Sequence, residues 1–194
     1  VEAGLRTRDI LSPFPEELNR QLISRMAAFH LAPTPANQAN LIREGVDPER
    51  VFVTGNTGID ALHWAADLHQ EWPDPRLARL DQLDVPLLVV TAHRRENLGA
   101  PIQRIAAAVR QIALERPDLV VVWPVHPNPK VRDDVYGILG GTPNVVLTEP
   151  MDYIPFARLL QRATLAISDS GGVQEEAPSV GTPVLVAREE SERP

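Results

Sequence analysis

The chain has 194 residues, 43% hydrophobic and 23% charged, an ordinary globular composition with room for one full domain and part of a second. A formal net charge of −7 excludes general nucleic-acid binding, which needs clustered Lys and Arg, so any anionic ligand requires a local site. Cysteine is absent, which removes disulfide frameworks and thiolate metal sites, and no apolar run approaches the roughly 18 residues that span a bilayer; a soluble, cytoplasmic protein is expected.

In chain order, the sequence opens on Val1-Glu2-Ala3-Gly4 without an initiator Met and stops within the charged run Ser191-Glu192-Arg193-Pro194, as expected of a piece of a longer protein. Pro13-Phe14-Pro15-Glu16-Glu17 leads into a helix through about Ala28, with Pro15 as its first helical residue. A short strand Phe29–Ala32, a helix Pro35–Glu44, a strand Val51–Val53 and the turn Gly55-Asn56-Thr57-Gly58 follow. The next helix carries Ala61, Leu62, Ala65 and Leu68. Pro73, Pro75 and the neighbouring Asp residues predict a linker over 71–83, which leaves 1–70 as part of a first domain and 84–194 as a second.

Beyond the linker, aliphatic runs at Leu87–Thr91, Leu119–Val125, Asn144–Leu147, Leu165–Ser168 and Pro183–Val186 alternate with helical stretches at Ile102–Glu115, Lys130–Leu139, Tyr153–Arg162 and Gly172–Val180. The first of these helices carries Ile102, Ile105, Ala106, Val109, Ile112 and Ala113, a stripe that buries one face. Such alternation predicts an α/β fold, a doubly wound parallel sheet of the Rossmann type with helices on both faces.

In sheets of this kind the ligand crevice lies beyond the carboxyl ends of the strands, so the residues after each strand are the candidates. After Leu165–Ser168 comes Ser170-Gly171-Gly172, a turn that opens a helix and offers backbone N–H groups to an anion. Glu175 and Glu176 lie about one turn further on, where a carboxylate can accept both hydroxyls of a ribose; the bland alternative is a capped helix with acids complementing its dipole. Position after a strand, with paired glutamates, favours a nucleotide site. His93, Arg94 and Arg95 follow Leu87–Thr91 and suit a diphosphate, although the same run could be a solvated loop. His126 follows Leu119–Val125, and without a third ligand at suitable spacing the two histidines make no metal site. His30 reads as buried filler, and His63 and His69 as surface residues.

Glu2 and Glu16 are the acid–base candidates. Glu2 precedes Ala3-Gly4, small residues that would let a substrate approach, and Glu16 stands in a first helical turn, where acids are also common for purely structural reasons.

Together these segments resemble the non-hydrolysing UDP-N-acetylglucosamine 2-epimerases. The resemblance rests on Val1-Glu2-Ala3-Gly4-Leu5-Arg6-Thr7, Pro13 to Arg20, Ala32-Pro33-Thr34, Gly55 to Leu62, Thr91-Ala92-His93-Arg94-Arg95-Glu96-Asn97, Pro124 to Pro129, Glu149 to Tyr153, Ser168 to Pro178 and Glu192-Arg193-Pro194, in family order along the whole chain. It implies two Rossmann-like domains of the glycosyltransferase-B type, here a partial first and a nearly complete second. It implies interconversion of UDP-GlcNAc and UDP-ManNAc by anti elimination of UDP to a glycal and re-addition, with neither cofactor nor metal. Glu2, Glu16 and His93 then correspond to catalytic residues. The resemblance gives Arg94, Ser170, Gly171 and Gly172 to the diphosphate, Glu176 to the ribose, Met151 and Phe156 to the uracil, His126 to the sugar or a second UDP-GlcNAc site, and Arg193 to the nucleotide. It further implies a UDP-sugar as the partner, no nucleic acid or membrane, and a homodimer of the full-length protein.

The family's first Rossmann half, with a catalytic Asp, would lie upstream of Val1, so this chain is expected to bind UDP weakly without epimerising. Three alternatives stand beside this reading: a hydrolysing 2-epimerase releasing free ManNAc, a glycosyltransferase of the same fold, and a nucleotide-sugar-binding module without chemistry.

Overall fold

A computed structural model describes residues 1–68, 70–82 and 84–188, and its two compact units divide between Gly58 and Ile59. The first unit contains α1 (Glu16–Met26), β1 (His30–Ala32), α2 (Pro35–Arg43) and β2 (Val51–Val53). Helix α1 carries Glu16 and Glu17 in its first turn and Arg25 in its last, each complementing the helix dipole; Pro15 sits one position before the helix rather than within it. Helix α2 starts at Thr34, whose hydroxyl accepts from the Asn37 amide, with Pro35 in the first turn. Strands β1 and β2 run parallel, His30 opposite Val51, and Glu2 adds an isolated bridge to His30. Their apolar cluster is small, built on Ala32, Leu41 and Val51.

Gly4 has φ +78°, and a Cβ there would lie 2.3 Å from the carbonyl oxygen of Asn37, so only glycine fits. The close approach serves packing: the Gly4 carbonyl accepts from the side chains of Asn37 and Asn40. The substrate approach expected at Ala3-Gly4 therefore gives way at Gly4 to the backbone of α2.

Helix α3 (Thr57–Ala66) begins at the division and gives Leu62, Ala65 and Ala66 to the second unit. The stretch expected as a linker contains a 3-10 helix, Pro75–Asp81, started by Asp74, whose carboxylate accepts from the Arg76 amide. Leu77 and Leu80 lie three residues apart, which places them on one side of a 3-10 helix, and both are buried in the same cluster. The compact units thus divide upstream of 71–83.

The rest is β3 (Leu87–Thr91), α4 (Ala100–Glu115), β4 (Val120–Pro124), α5 (Pro129–Leu139), β5 (Val145–Thr148), α6 (Tyr153–Arg162), β6 (Leu165–Ser168), α7 (Gly171–Ser179) and β7 (Val184–Val186). All five strands pair in parallel in the order β5-β4-β3-β6-β7. The pleat sends Leu87 and Val89 into one cluster with α3, α6 and α7, and Leu88 and Val90 into another with α4 and α5. Helices therefore cover both faces, as the apolar strands required.

Helix α4 buries Ile102, Ala106, Val109 and Ala113, and each large member is worth about 1.5–3 kcal/mol of apolar burial. It ends where Pro117 disfavours helical geometry at Arg116. Among the described residues no helix is long and apolar enough to cross a membrane.

Candidate active site

The chain runs β3, β4, β5 toward one edge of the sheet, then crosses to place β6 and β7 on the other side of β3. The point where strand order reverses lies between β3 and β6, and the carboxyl ends of those strands open the crevice. There Thr91 pairs with Ser168, with their hydroxyl oxygens 3.2 Å apart, and the Ser170 amide donates to Ser168 Oγ at 3.0 Å.

Asp169 follows β6 and is completely buried. Its Oδ2 accepts from the amides of His93 and Arg94, both at 2.8 Å, and from Asn97 Nδ2 at 2.9 Å; its Oδ1 lies 3.2 Å from His93 Nδ1. Asn97 Nδ2 also donates to the Ala187 carbonyl, just after β7. One carboxylate and one carboxamide thus tie together the loops after β3, β6 and β7. Burial alone would raise the Asp169 pKa, but hydrogen bonds from His93, Asn97 and the two amides outweigh it and lower it to about 2.

Beside this cluster lies a cleft of about 200 Å³ lined by Thr91, Ala92, His93, Pro124, His126, Pro150, Met151 and Phe156. The His93 and His126 rings lie 5.3 Å apart at 30°. Asn128 donates its amide to His126 Nδ1 at 3.1 Å, which orients that ring. Met151 and Phe156 pack against the cluster beneath α6 and give the cleft an apolar wall. Helix α7 opens at Ser170 without a side-chain cap, so its first turn presents backbone donors and the positive dipole end. Glu176 stands over Gly172, its carboxylate oxygens 3.7–3.8 Å from where a Gly172 Cβ would be, and Tyr153 OH donates to it at 3.4 Å.

The family model described as UDP-N-acetylglucosamine 2-epimerase matches residues 1–194. The chain belongs to the UDP-N-acetylglucosamine 2-epimerase family. Among curated relatives, the Yersinia pestis UDP-N-acetylglucosamine 2-epimerase is 51% identical over 200 residues, covering 100% of this chain and 53% of that protein. Among solved structures, the S. aureus MnaA–UDP co-structure has a TM-score of 0.92 at 44% identity, covering 100% of this chain and 52% of that one. The Neisseria meningitidis UDP-GlcNAc 2-epimerase bound to UDP-GlcNAc has a TM-score of 0.89 at 41% identity, covering 100% and 53%. The chain spans about half the length of the curated relatives it matches. Its Rossmann-like α/β units are those of the glycosyltransferase-B type of fold, as in its structural neighbours in the 2-epimerase family.

Within this 2-epimerase fold, the second unit brings His93, Arg94, His126, Met151, Phe156, Ser170, Gly171, Gly172 and Glu176 to one edge of one sheet. Arg193 lies outside the described residues. Glu2 and Glu16 belong to the first unit. Glu2 is buried and accepts from the Gly4 amide and from Arg6, whose guanidinium also grips Glu44 through two hydrogen bonds of 2.8 and 2.9 Å. Burial disfavours the Arg6 cation, yet the hydrogen bonds it donates to Glu44 and Glu2 outweigh this and raise the Arg6 pKa. Glu16 is exposed.

Two positions escaped the sequence reading. Asp169 was visible only as part of the segment Ser168 to Pro178, and an acid directly after a strand at the reversal point was the available signal. Glu17 is completely buried and accepts from the amides of Thr7 and Arg8 at 3.2 and 3.3 Å, and from Gln21 Nε2 at 3.2 Å. The adjacent Glu16, singled out in the sequence for its place in the first helical turn, points to solvent instead.

Proposed function

We propose that the full-length protein interconverts UDP-GlcNAc and UDP-ManNAc by the non-hydrolysing route, and that the carboxyl edge of the second unit is its UDP site. The observation that carries this is the convergence of an uncapped helix start, a ribose-competent carboxylate and a His-lined cleft at the reversal point of a parallel sheet. Relatives solved with UDP or UDP-GlcNAc support the ligand class.

In this reading a base takes the C2 proton while the C1–O bond breaks with its electron pair leaving on UDP, giving a glycal. UDP then returns to C1 and a proton is delivered to the opposite face of C2. Charge grows on the departing diphosphate, so donors held ready for it count most; each is worth about 3–4 kcal/mol in a preorganised site. Arg94 and the amides around Ser170, Gly171 and Gly172 supply them, and His93 adds one when its ring carries a second proton. Glu176 accepts the ribose hydroxyls, Met151 and Phe156 flank the uracil, and His126 faces the sugar. Glu2 and Glu16 handle the proton transfers, and the full-length enzyme works as a homodimer.

This chain alone is expected to bind UDP weakly without turnover. Titration calorimetry with UDP, and proton NMR of UDP-GlcNAc incubated with the chain, test both halves. Efficient epimerisation by the chain would overturn the second half, and no binding at millimolar UDP the first. For the full-length protein, appearance of free ManNAc with UDP in place of UDP-ManNAc would overturn the non-hydrolysing assignment.

A further inference from the structure

The two histidines of the cleft are held by partners of opposite character. His93 Nδ1 faces a carboxylate oxygen of Asp169 at 3.2 Å, while His126 Nδ1 faces the backbone N–H of Asn128 at 3.1 Å. A carboxylate that already receives three N–H groups on its other oxygen can only accept, so the nitrogen facing it must carry a hydrogen. A backbone N–H can only donate, so the nitrogen facing it must be bare. In a neutral imidazole one nitrogen is protonated and the other is not, and the partner of one decides the state of the other.

We propose that Asp169 is a positioning residue that holds neutral His93 with its proton on Nδ1, while the Asn128 amide holds neutral His126 with its proton on Nε2. The cleft then contains a proton-accepting nitrogen on His93 and a proton-donating nitrogen on His126, with the two rings only 5.3 Å apart. Both outer nitrogens are Nε2, and they differ solely in what stands behind the ring.

The assignment changes what His93 offers a ligand. As a neutral ring it is an acceptor at Nε2, and it becomes a donor to a phosphate oxygen only after taking up a proton there. His126 is a donor without protonation. This consequence rests on the reading of the cleft as the UDP site, whereas the ring states themselves do not.

Long-range ¹H–¹⁵N spectra of the imidazoles in the ¹⁵N-labelled chain, recorded well above the ordinary imidazole pKa of about 6.5, read the tautomers directly. His93→Gln and His126→Gln spectra assign the signals. The wild type is expected to show His93 protonated on Nδ1 and His126 on Nε2. In Asp169→Asn the carboxamide oxygen stays with the three N–H donors and the NH2 turns to His93 Nδ1, so His93 moves its proton to Nε2 while His126 is unchanged. A wrong tautomer of this kind leaves geometry intact but lowers kcat by about 10⁴ in a Ser-His-Asp triad. His93 protonated on Nε2 in the wild type overturns the proposal even if Asp169→Asn does not fold, as does a folded Asp169→Asn with the His93 tautomer retained. Adding UDP to the same samples separates the two claims: predicted ring states without UDP-induced shifts would sink the UDP-site reading alone.

Discussion

Asp169 organises the site through hydrogen bonds rather than through any contact with solvent. Replacing it with Asn keeps these groups paired once His93 changes tautomer, but it turns charge-assisted hydrogen bonds into neutral ones, each weaker by about 1 kcal/mol. Asp169→Asn should therefore lower the unfolding free energy of the second unit by about 2 kcal/mol at neutral pH. The pH dependence has a fixed sign. The folded pKa of about 2 lies below the unfolded carboxylate, so the contribution is complete above about pH 4 and is lost as the pH falls toward 2. Urea unfolding of wild type and variant should thus show a gap that narrows between those limits, and a gap constant down to pH 2 would contradict the assignment.

Adjacent glutamates in α1 make a second contrast. Glu17→Ala strands the Thr7 and Arg8 amides and should cost the first unit about 2–3 kcal/mol, whereas exposed Glu16→Ala should stay within about 1 kcal/mol. Equal losses by thermal unfolding would reject the division between a structural and a chemical acid. Sequence reasoning could not separate the two, because which of two consecutive acids turns inward depends on the packing of residues ten positions upstream.

At the scale of elements, the clearest sequence signals were periodic. The stripe of α4 and the alternation of five apolar strands with helices marked both faces of the sheet, and the ends of those strands named most of the cleft. What stayed hidden was carried by non-periodic residues. Leu77 and Leu80 sit among prolines and aspartates whose composition reads as a linker, and only their three-residue spacing on a 3-10 turn lets them join the core. The start of α7 gives the element-scale prediction. Gly172 has room for a methyl group in ordinary contact with Glu176, so Gly172→Ala should leave stability unchanged or raise it by up to about 1 kcal/mol. The same methyl group would stand where a diphosphate approaches the backbone, so UDP affinity should fall at least tenfold. Calorimetry and thermal unfolding on one preparation read both effects, and a stabilised variant with unchanged UDP affinity would remove the helix start from the site.

At the scale of the whole chain, the two units differ in the size of their cores. The first packs around Ala32, Leu41 and Val51, while the sheet of the second has an extensive buried cluster on each face. Amide hydrogen exchange should therefore find α1, β1 and β2 opening at lower free energy than β3, β4 and β6. The central claim is that the carboxyl edge of the second unit binds UDP. Backbone amide NMR during a UDP titration tests it most directly. Saturable shifts are predicted at 91–97, 151–156 and 170–176, with β1 and β2 unmoved. Shifts confined to residues outside these segments, or no saturable shift at millimolar UDP, would contradict it.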